Sequence, residues 1–226
     1  MDDSLYFFTD LKKYLELYEF NDSSKPNHKT IINKDNSQKN TKIDRKTITV
    51  ITDQIKLICY KYFKTDQLSI DVCGSYRRCK RQSNDIDLLF CNLQNKESKT
   101  GIQNKSITLT QIINLLTEQK ILTFHITDPQ KITKVYMGYI NEMRIDIKIC
   151  DKESYIFSLM KFTGSKFLNI KLSAIAKNKG LILNEYGLFD RKTREKVLCD
   201  PKIEQDVYDY LELPYLEPFE RSYIYI

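Results

Sequence analysis

CGSYRRCKRQSNDIDLLF, residues 73–90, joins a Gly-Ser turn and four basic side chains to two aspartates that bracket one isoleucine. LSIDVCGS (68–75) reads as a strand running into that turn, and DIDLLF (85–90) as the next strand. Side chains alternate in a strand, so Asp85 and Asp87 share one face while Ile86 and Leu88 share the other. Downstream, MRIDIKIC (143–150) repeats the pattern, with Arg144, Asp146 and Lys148 opposite Ile145, Ile147 and Ile149. Two aspartates on one strand and a third on a neighbouring strand form an oxygen-ligand set for two Mg²⁺ ions about 3.5–4 Å apart. Such a site needs phosphates opposite it. The Gly74-Ser75 turn offers backbone N–H groups and a hydroxyl, and Arg77 or Arg78 offers a fork of donors.

Working outward, the chain has 226 residues, of which 41% are apolar, enough for one large domain or two small ones. No run of about eighteen apolar residues occurs, and MDDSLYFFTDLKK lacks the basic start of a secretory signal, so an intracellular, soluble location without membrane insertion is expected. Six cysteines show no C-x-x-C pair, which argues against structural zinc. The net charge of +6 is unevenly spread. Five lysines (161, 166, 171, 177 and 179) and no acid lie between Met160 and Ile182, whereas the tail from Asp200 is acidic. One face is therefore expected to be positive and suited to a polyanion.

Residues 5–20 read as a short amphipathic helix and the polar stretch after it as a linker, giving an appended segment over 1–41. Ile48, Ile51, Ile55, Ile58 and Tyr62 predict a helix that ends near Lys64. Thr108 with Gln111 predicts a capping box before the stripe Leu109, Ile112, Ile113 and Leu116. TKVYMGYI and MRIDIKIC predict two strands joined by a short turn containing Asn141, and helical patterning follows from Glu153. NEYGLFD reads as one short strand with Gly187 in a turn. The expected class is α+β, a mixed sheet with helices on one side over 42–152 followed by a smaller α/β unit over 153–226.

A bare D-x-D is common on exposed strands. Coupled to the turn, G-S-x(9)-D-x-D is the signature of nucleotidyltransferases, and GSYRRCKRQSNDIDLLF with RIDIKI resembles the palm of the family X DNA polymerases. FTGSKFLNIKL, KGLILNEYGLFD and DVYDYLELPYLEP resemble the same family's thumb, so the likeness extends over about residues 42–222. It implies Asp85, Asp87 and Asp146 as ligands of two Mg²⁺ ions, with Mn²⁺ as a substitute, and Arg144 as the neighbour that orients Asp146. It implies Gly74, Ser75, Arg78 and Asn84 against the phosphates of a dNTP, Phe162, Thr163 and Gly164 against its sugar, and Asn169 at its base. Lys166, Lys171 and Lys177 are then expected on the DNA backbone. The activity implied is template-directed gap filling on gapped or nicked duplex DNA, as in base excision repair, by a monomer with a DNA ligase as its repair partner.

Departures from the family pattern carry expectations of their own. Asn84 stands in place of a glycine, Lys161 in place of a tyrosine at the sugar, Ser173 in place of a thumb arginine, and Ile170 in place of a polar contact. Low fidelity and weak exclusion of ribonucleotides follow. The 41 residues ahead of Lys42 resemble no lyase domain, so 5′-deoxyribose-phosphate lyase activity is expected to be missing. Template-independent nucleotidyl transfer and a non-catalytic DNA-binding scaffold are the rival readings.

Overall fold

Alternating and 3.6-residue apolar periods succeed one another along the chain, and in the computed structural model they build a mixed sheet backed by helices. The structure describes residues 42–63, 67–93, 106–197 and 199–222, all within one unit spanning Asn40–Ile226. The expected helix over 5–20, the linker after it and most of the loop over 92–105 lie outside the described residues. Strands β1 (Ile43–Asp44), β2 (Leu68–Val72), β3 (Gln82–Ser83), β4 (Ile86–Asn92), β5 (Phe124–His125), β6 (Val135–Ile140) and β7 (Met143–Asp151) precede a hairpin of β8 (Leu181–Asn184) and β9 (Gly187–Asp190). The helices are α1 (Arg45–Phe63), α2 (Gly74–Arg77), α3 (Leu109–Glu118), α4 (Tyr155–Thr163), α5 (Lys166–Asn178) and α6 (Glu204–Tyr210). Among the described residues no helix is long and apolar enough to cross a membrane.

The main sheet has the order β2-β4-β7-β6-β5. β4 and β7 run parallel, and the other neighbours are antiparallel. One face carries Ile70, Ile86, Leu88, Phe90, Ile145, Ile147 and Ile149 into a core with α1 and α3. On the opposite face, Leu89, Cys91 and Cys150 pack against Leu159 of α4. The first α-helix after β7 thus closes the far end of the sheet face that carries the aspartates.

The stripe of α1 differs in phase from the expectation. Ile48, Thr52, Ile55, Cys59 and Phe63 are its buried positions, Ile51 and Ile58 only flank the core, and Tyr62 is 67% exposed. Thr52 and Cys59 are small enough to lie against the sheet, and the Thr52 hydroxyl is satisfied by the Thr49 carbonyl. α3 has the expected capping box, with Thr108 Oγ1 accepting from the Gln111 backbone N–H and the Gln111 side chain accepting from Thr108 N–H. Thr108→Ala should cost about 1 kcal/mol in urea denaturation, the usual loss for an N-cap.

The elements after β7 build a separate core cluster of Phe157, Met160, Leu168, Leu172, Leu183, Leu188 and Tyr208. Ser165 caps α5 through the Leu168 N–H, and Leu168, Leu172 and Ala176 recur every fourth residue to bury one side of the helix. The expected strand in NEYGLFD is β9, Gly187–Asp190, and the residues ahead of it make a hairpin turn in which Asn184 pairs with Gly187 across Glu185-Tyr186.

Candidate active site

The register of two strands assembles the acids. β4 and β7 are parallel with Asp87 opposite Asp146, and Asp85 immediately precedes β4. Carboxylate oxygens of Asp85, Asp87 and Asp146 all lie within 4.8 Å of one another. Burial, and then the charges of Asp85 and Asp146, push the Asp87 carboxyl up to about 7. Burial and then Asp146 also raise Asp85. Arg144 binds Asp146 with both arms of its fork, Nε to Oδ1 at 2.9 Å and Nη2 to Oδ2 at 2.7 Å. Its single positive charge leaves the cluster negative. An all-oxygen set that is crowded, desolvated and under-neutralised fits hard divalent cations.

Gly74 makes this crowding possible. Its φ is +54°, and a Cβ there would stand 1.7 Å from Asp87 Oδ2. The segment after β2, expected as a turn, is the short helix α2, which Cys73 N–H ties to the Asp87 carbonyl at 2.8 Å. The phosphate-binding candidates therefore sit directly against the acids. Ser75 donates its hydroxyl to Ser83 Oγ at 2.7 Å. Of the two arginines, Arg77 turns away from the acids and gives a bidentate pair to Glu204 at 3.1 and 2.7 Å, with a further bond to Thr163 Oγ1 at 2.8 Å. Arg78 remains at the cleft, where its fork donates to the Thr163 carbonyl and to Ser222 Oγ.

A cleft of about 670 Å³ opens between these elements. Gly74, Ser75, Arg78, Asn84, Asp85 and Asp87 line one wall. Phe162, Thr163, Gly164, Lys166 and Asn169 line the other, together with Lys161, Ile170 and Ser173. Asn169 Nδ2 donates to the Lys161 carbonyl at 2.7 Å, while its buried Oδ1 has no partner. Lys161 Nζ donates to Ser173 Oγ at 2.8 Å, so two of the departures from the family pattern meet in one contact. The lysines do not form a single stripe. Lys161 is half-buried in the wall, Lys179 pairs with Glu212, and Lys166, Lys171 and Lys177 are exposed on α5. At roughly 100° per residue, Lys166 and Lys177 lie about 20° apart around the helix and Lys171 about 140° from Lys166.

Two family models match the chain, DNA polymerase beta palm over residues 42–152 and DNA polymerase beta thumb over 158–222, between them more than three quarters of its length. The chain belongs to family X of the DNA polymerases. Within family X it is 32% identical to DNA polymerase lambda of Arabidopsis thaliana over 167 residues, which is 67% of this chain and 31% of that protein. It is 30% identical to DNA polymerase lambda of Rattus norvegicus over 169 residues, covering 28% of that protein. The chain thus spans about a third or less of the length of these relatives. A crystal structure of Leishmania infantum polymerase beta, described as a ternary P/T complex, superposes with a TM-score of 0.66 at 26% identity, covering 80% of this chain and 77% of that one. The same enzyme in a ternary gap complex gives a TM-score of 0.64 at 25% identity, over 80% and 71% of the two chains.

Several residues that support the cleft residues had no signal in the sequence. Ser83, held in the two-residue strand β3, orients Ser75. Glu204 at the start of α6 takes both Arg77 and Arg221, and Arg221 is fully buried between them and the rings of Tyr208 and Tyr215. Only the charge types were visible beforehand; their meeting depends on how the thumb folds back.

Proposed function

We propose that the chain is a DNA-directed DNA polymerase that adds dNTPs to a primer 3′-hydroxyl in short gaps of duplex DNA. The observation that carries this reading is the cleft itself, with three clustered aspartates on one wall beside Ser75 and Arg78, and Asn169 with the Phe162-Thr163-Gly164 turn on the other. Asp85 and Asp87 would hold two divalent cations, Mg²⁺ by ligand type, and Asp146 one of them. When bound, the cations supply charge stabilisation to the attacking and leaving oxygens of an in-line displacement at phosphorus. Arg144 locks the Asp146 carboxylate toward the site, where it takes the proton of the 3′-hydroxyl. Ser75 and Arg78 draw the leaving pyrophosphate to the far end of the cleft. Phe162 and Gly164 pack on the sugar, and Asn169 on the same wall of the cleft meets the incoming base. The solved polymerase beta gap complex supports a gapped substrate.

Low fidelity belongs to the same proposal. Ser173 and Ile170 place a short hydroxyl and an alkyl group on the thumb wall, and the Lys161–Ser173 contact occupies the positions expected to read sugar and template. That contact also favours a second reading, transfer without a template. Single-nucleotide incorporation on a one-nucleotide gap with Mg²⁺, comparing each dNTP and its rNTP with and without template, separates the two. Addition of the templated base is expected, with misinsertion and ribonucleotide use well above those of family members that keep the arginine and tyrosine. Equal addition without template would move the function to terminal transfer, and no addition at all would overturn both readings.

A further inference from the structure

The face of β4 and β7 that carries Asp87 and Asp146 carries Cys91 and Cys150 further along, as partners in the parallel register. Among the described strands no other two cysteines are partners, and all six cysteines are free. Cys91 and Cys150 are 1% and 5% exposed, in a cluster with Cys73, Leu89 and Leu159 of α4. Phe162 packs against the same cluster and also lines the cleft. A hydrogen bond from the Cys91 thiol, helped by one from Ser158, outweighs burial and holds the Cys150 thiol below its ordinary value. The same contact, with burial, pushes Cys91 up. Cys150 is thus the better nucleophile of two touching thiols that nucleotide addition does not use.

Neighbouring strands lie about 4.8 Å apart, inside the roughly 4.4–6.8 Å of Cα separation that a disulfide spans. We propose that Cys91 and Cys150 are a redox modification site that closes to a disulfide under a peroxide and opens again under a dithiol. The Cys150 sulfur attacks one oxygen of hydrogen peroxide, the O–O bond breaks, and the departing hydroxide takes the Cys150 proton to become water, leaving a sulfenic acid. The Cys91 sulfur then attacks the Cys150 sulfur, the S–O bond breaks, and the hydroxide leaves with the Cys91 proton as a second water. The two sulfurs together lose two electrons and the peroxide gains them. Peroxide is little larger than water, so its entry needs only local opening of the α4 cover. The Cβ atoms of a disulfide lie about 3.8 Å apart, so the bond draws β4 and β7 together beneath Leu159 and Phe162. Oxidation should therefore disturb both the aspartates on the same strands and the ring on the cleft wall, and slow nucleotide addition. That consequence rests on the polymerase reading; the bond itself does not.

The test treats the full chain with hydrogen peroxide, maps disulfides by mass spectrometry of the unreduced digest, and follows single-turnover addition of the templated dNTP on gapped DNA before and after dithiothreitol. A Cys91–Cys150 linkage is expected, with the rate falling roughly tenfold or more, since a displacement of about 1 Å can cost about 10²-fold. Dithiothreitol should restore the rate. Cys150→Val and Cys91→Ala change little volume, should match the reduced wild type, and should keep their rate under peroxide. Cys79→Ser, which removes the exposed thiol, should lose rate as the wild type does. Peroxide that oxidises Cys79 while Cys91 and Cys150 stay reduced, a linkage that leaves the rate unchanged, or a rate lost equally in Cys150→Val would overturn the proposal. The mapping needs no turnover, so a Cys91–Cys150 linkage in a chain that adds no nucleotide even when reduced would overturn the polymerase reading and leave the disulfide standing.

Discussion

Asp146→Ala is expected to slow nucleotide addition by at least about 10³-fold, the scale of losing one preorganised electrostatic group, with binding to gapped DNA unchanged. The separation follows from where Asp146 sits. It faces Asp87 across the β4–β7 pair and touches Arg144, and neither contact belongs to the lysine-bearing helix α5. Folding should survive as well. The Arg144 side chain is 42% exposed and can hydrate once its partner is gone. Single-turnover incorporation gives the rate and fluorescence anisotropy gives the affinity, which should fall with added salt in wild type and variant alike because phosphate contacts release counterions. A variant that retains its rate would show that the acids are assigned wrongly. A variant that loses rate and DNA affinity together would show that Asp146 holds the DNA and not the reaction.

Glu204→Ala should lower stability by about 3–5 kcal/mol, the cost of leaving buried charges without their partner. Arg221 is fully buried and donates to Glu204 Oε1 at 2.7 Å, while Arg77 comes from the palm to take both oxygens. Burial alone would raise the Glu204 carboxyl, but hydrogen bonds from Arg221 and Arg77 outweigh it and hold it below the usual range. The folded value is therefore depressed. The stability it contributes is complete above the ordinary glutamate value and is lost as pH falls through the lowered folded value. Urea denaturation at neutral and acid pH should show the wild-type chain losing this contribution in acid, while Glu204→Ala shows a smaller pH dependence. A loss below about 1 kcal/mol at neutral pH would place the cluster among ordinary surface pairs. Activity should suffer too, because Arg77 lies next to Arg78 in the α2 segment that lines the nucleotide cleft.

How much of this was legible in the sequence depended on the range over which each feature is encoded. The faces of β4 and β7 were legible because alternation is a property of adjacent residues, and Asp85, Asp87 and Asp146 stand where alternation places them. The cap of α3 was legible for the same reason, since Thr108 and Gln111 lie three residues apart. The phase of α1 was misread where Thr52 and Cys59 take buried positions that a count of large apolar residues assigns to their neighbours. α2 has four residues, too few for any helical period to show. Lys161 and Ser173 were legible as departures, but their bond depends on the packing of α4 against α5. The Arg77–Glu204 pair spans 127 positions, and nothing local in either segment specifies it.

A single face of β4 carries Asp87 at one end and Leu89 and Cys91 at the other, so the strand that presents the ligands also floors the thumb's first helix. The arrangement bears on which genetic changes the protein can survive. A substitution at any one of these positions alters one contact. Inserting or deleting one codon between Asp87 and Cys91 turns the rest of the strand to the opposite side of the sheet, moving apolar groups out of both cores and setting that segment out of step with residues 147–150 of β7. Insertions and deletions are therefore expected to be tolerated in the connections between strands and not within β4, which accepts point changes alone.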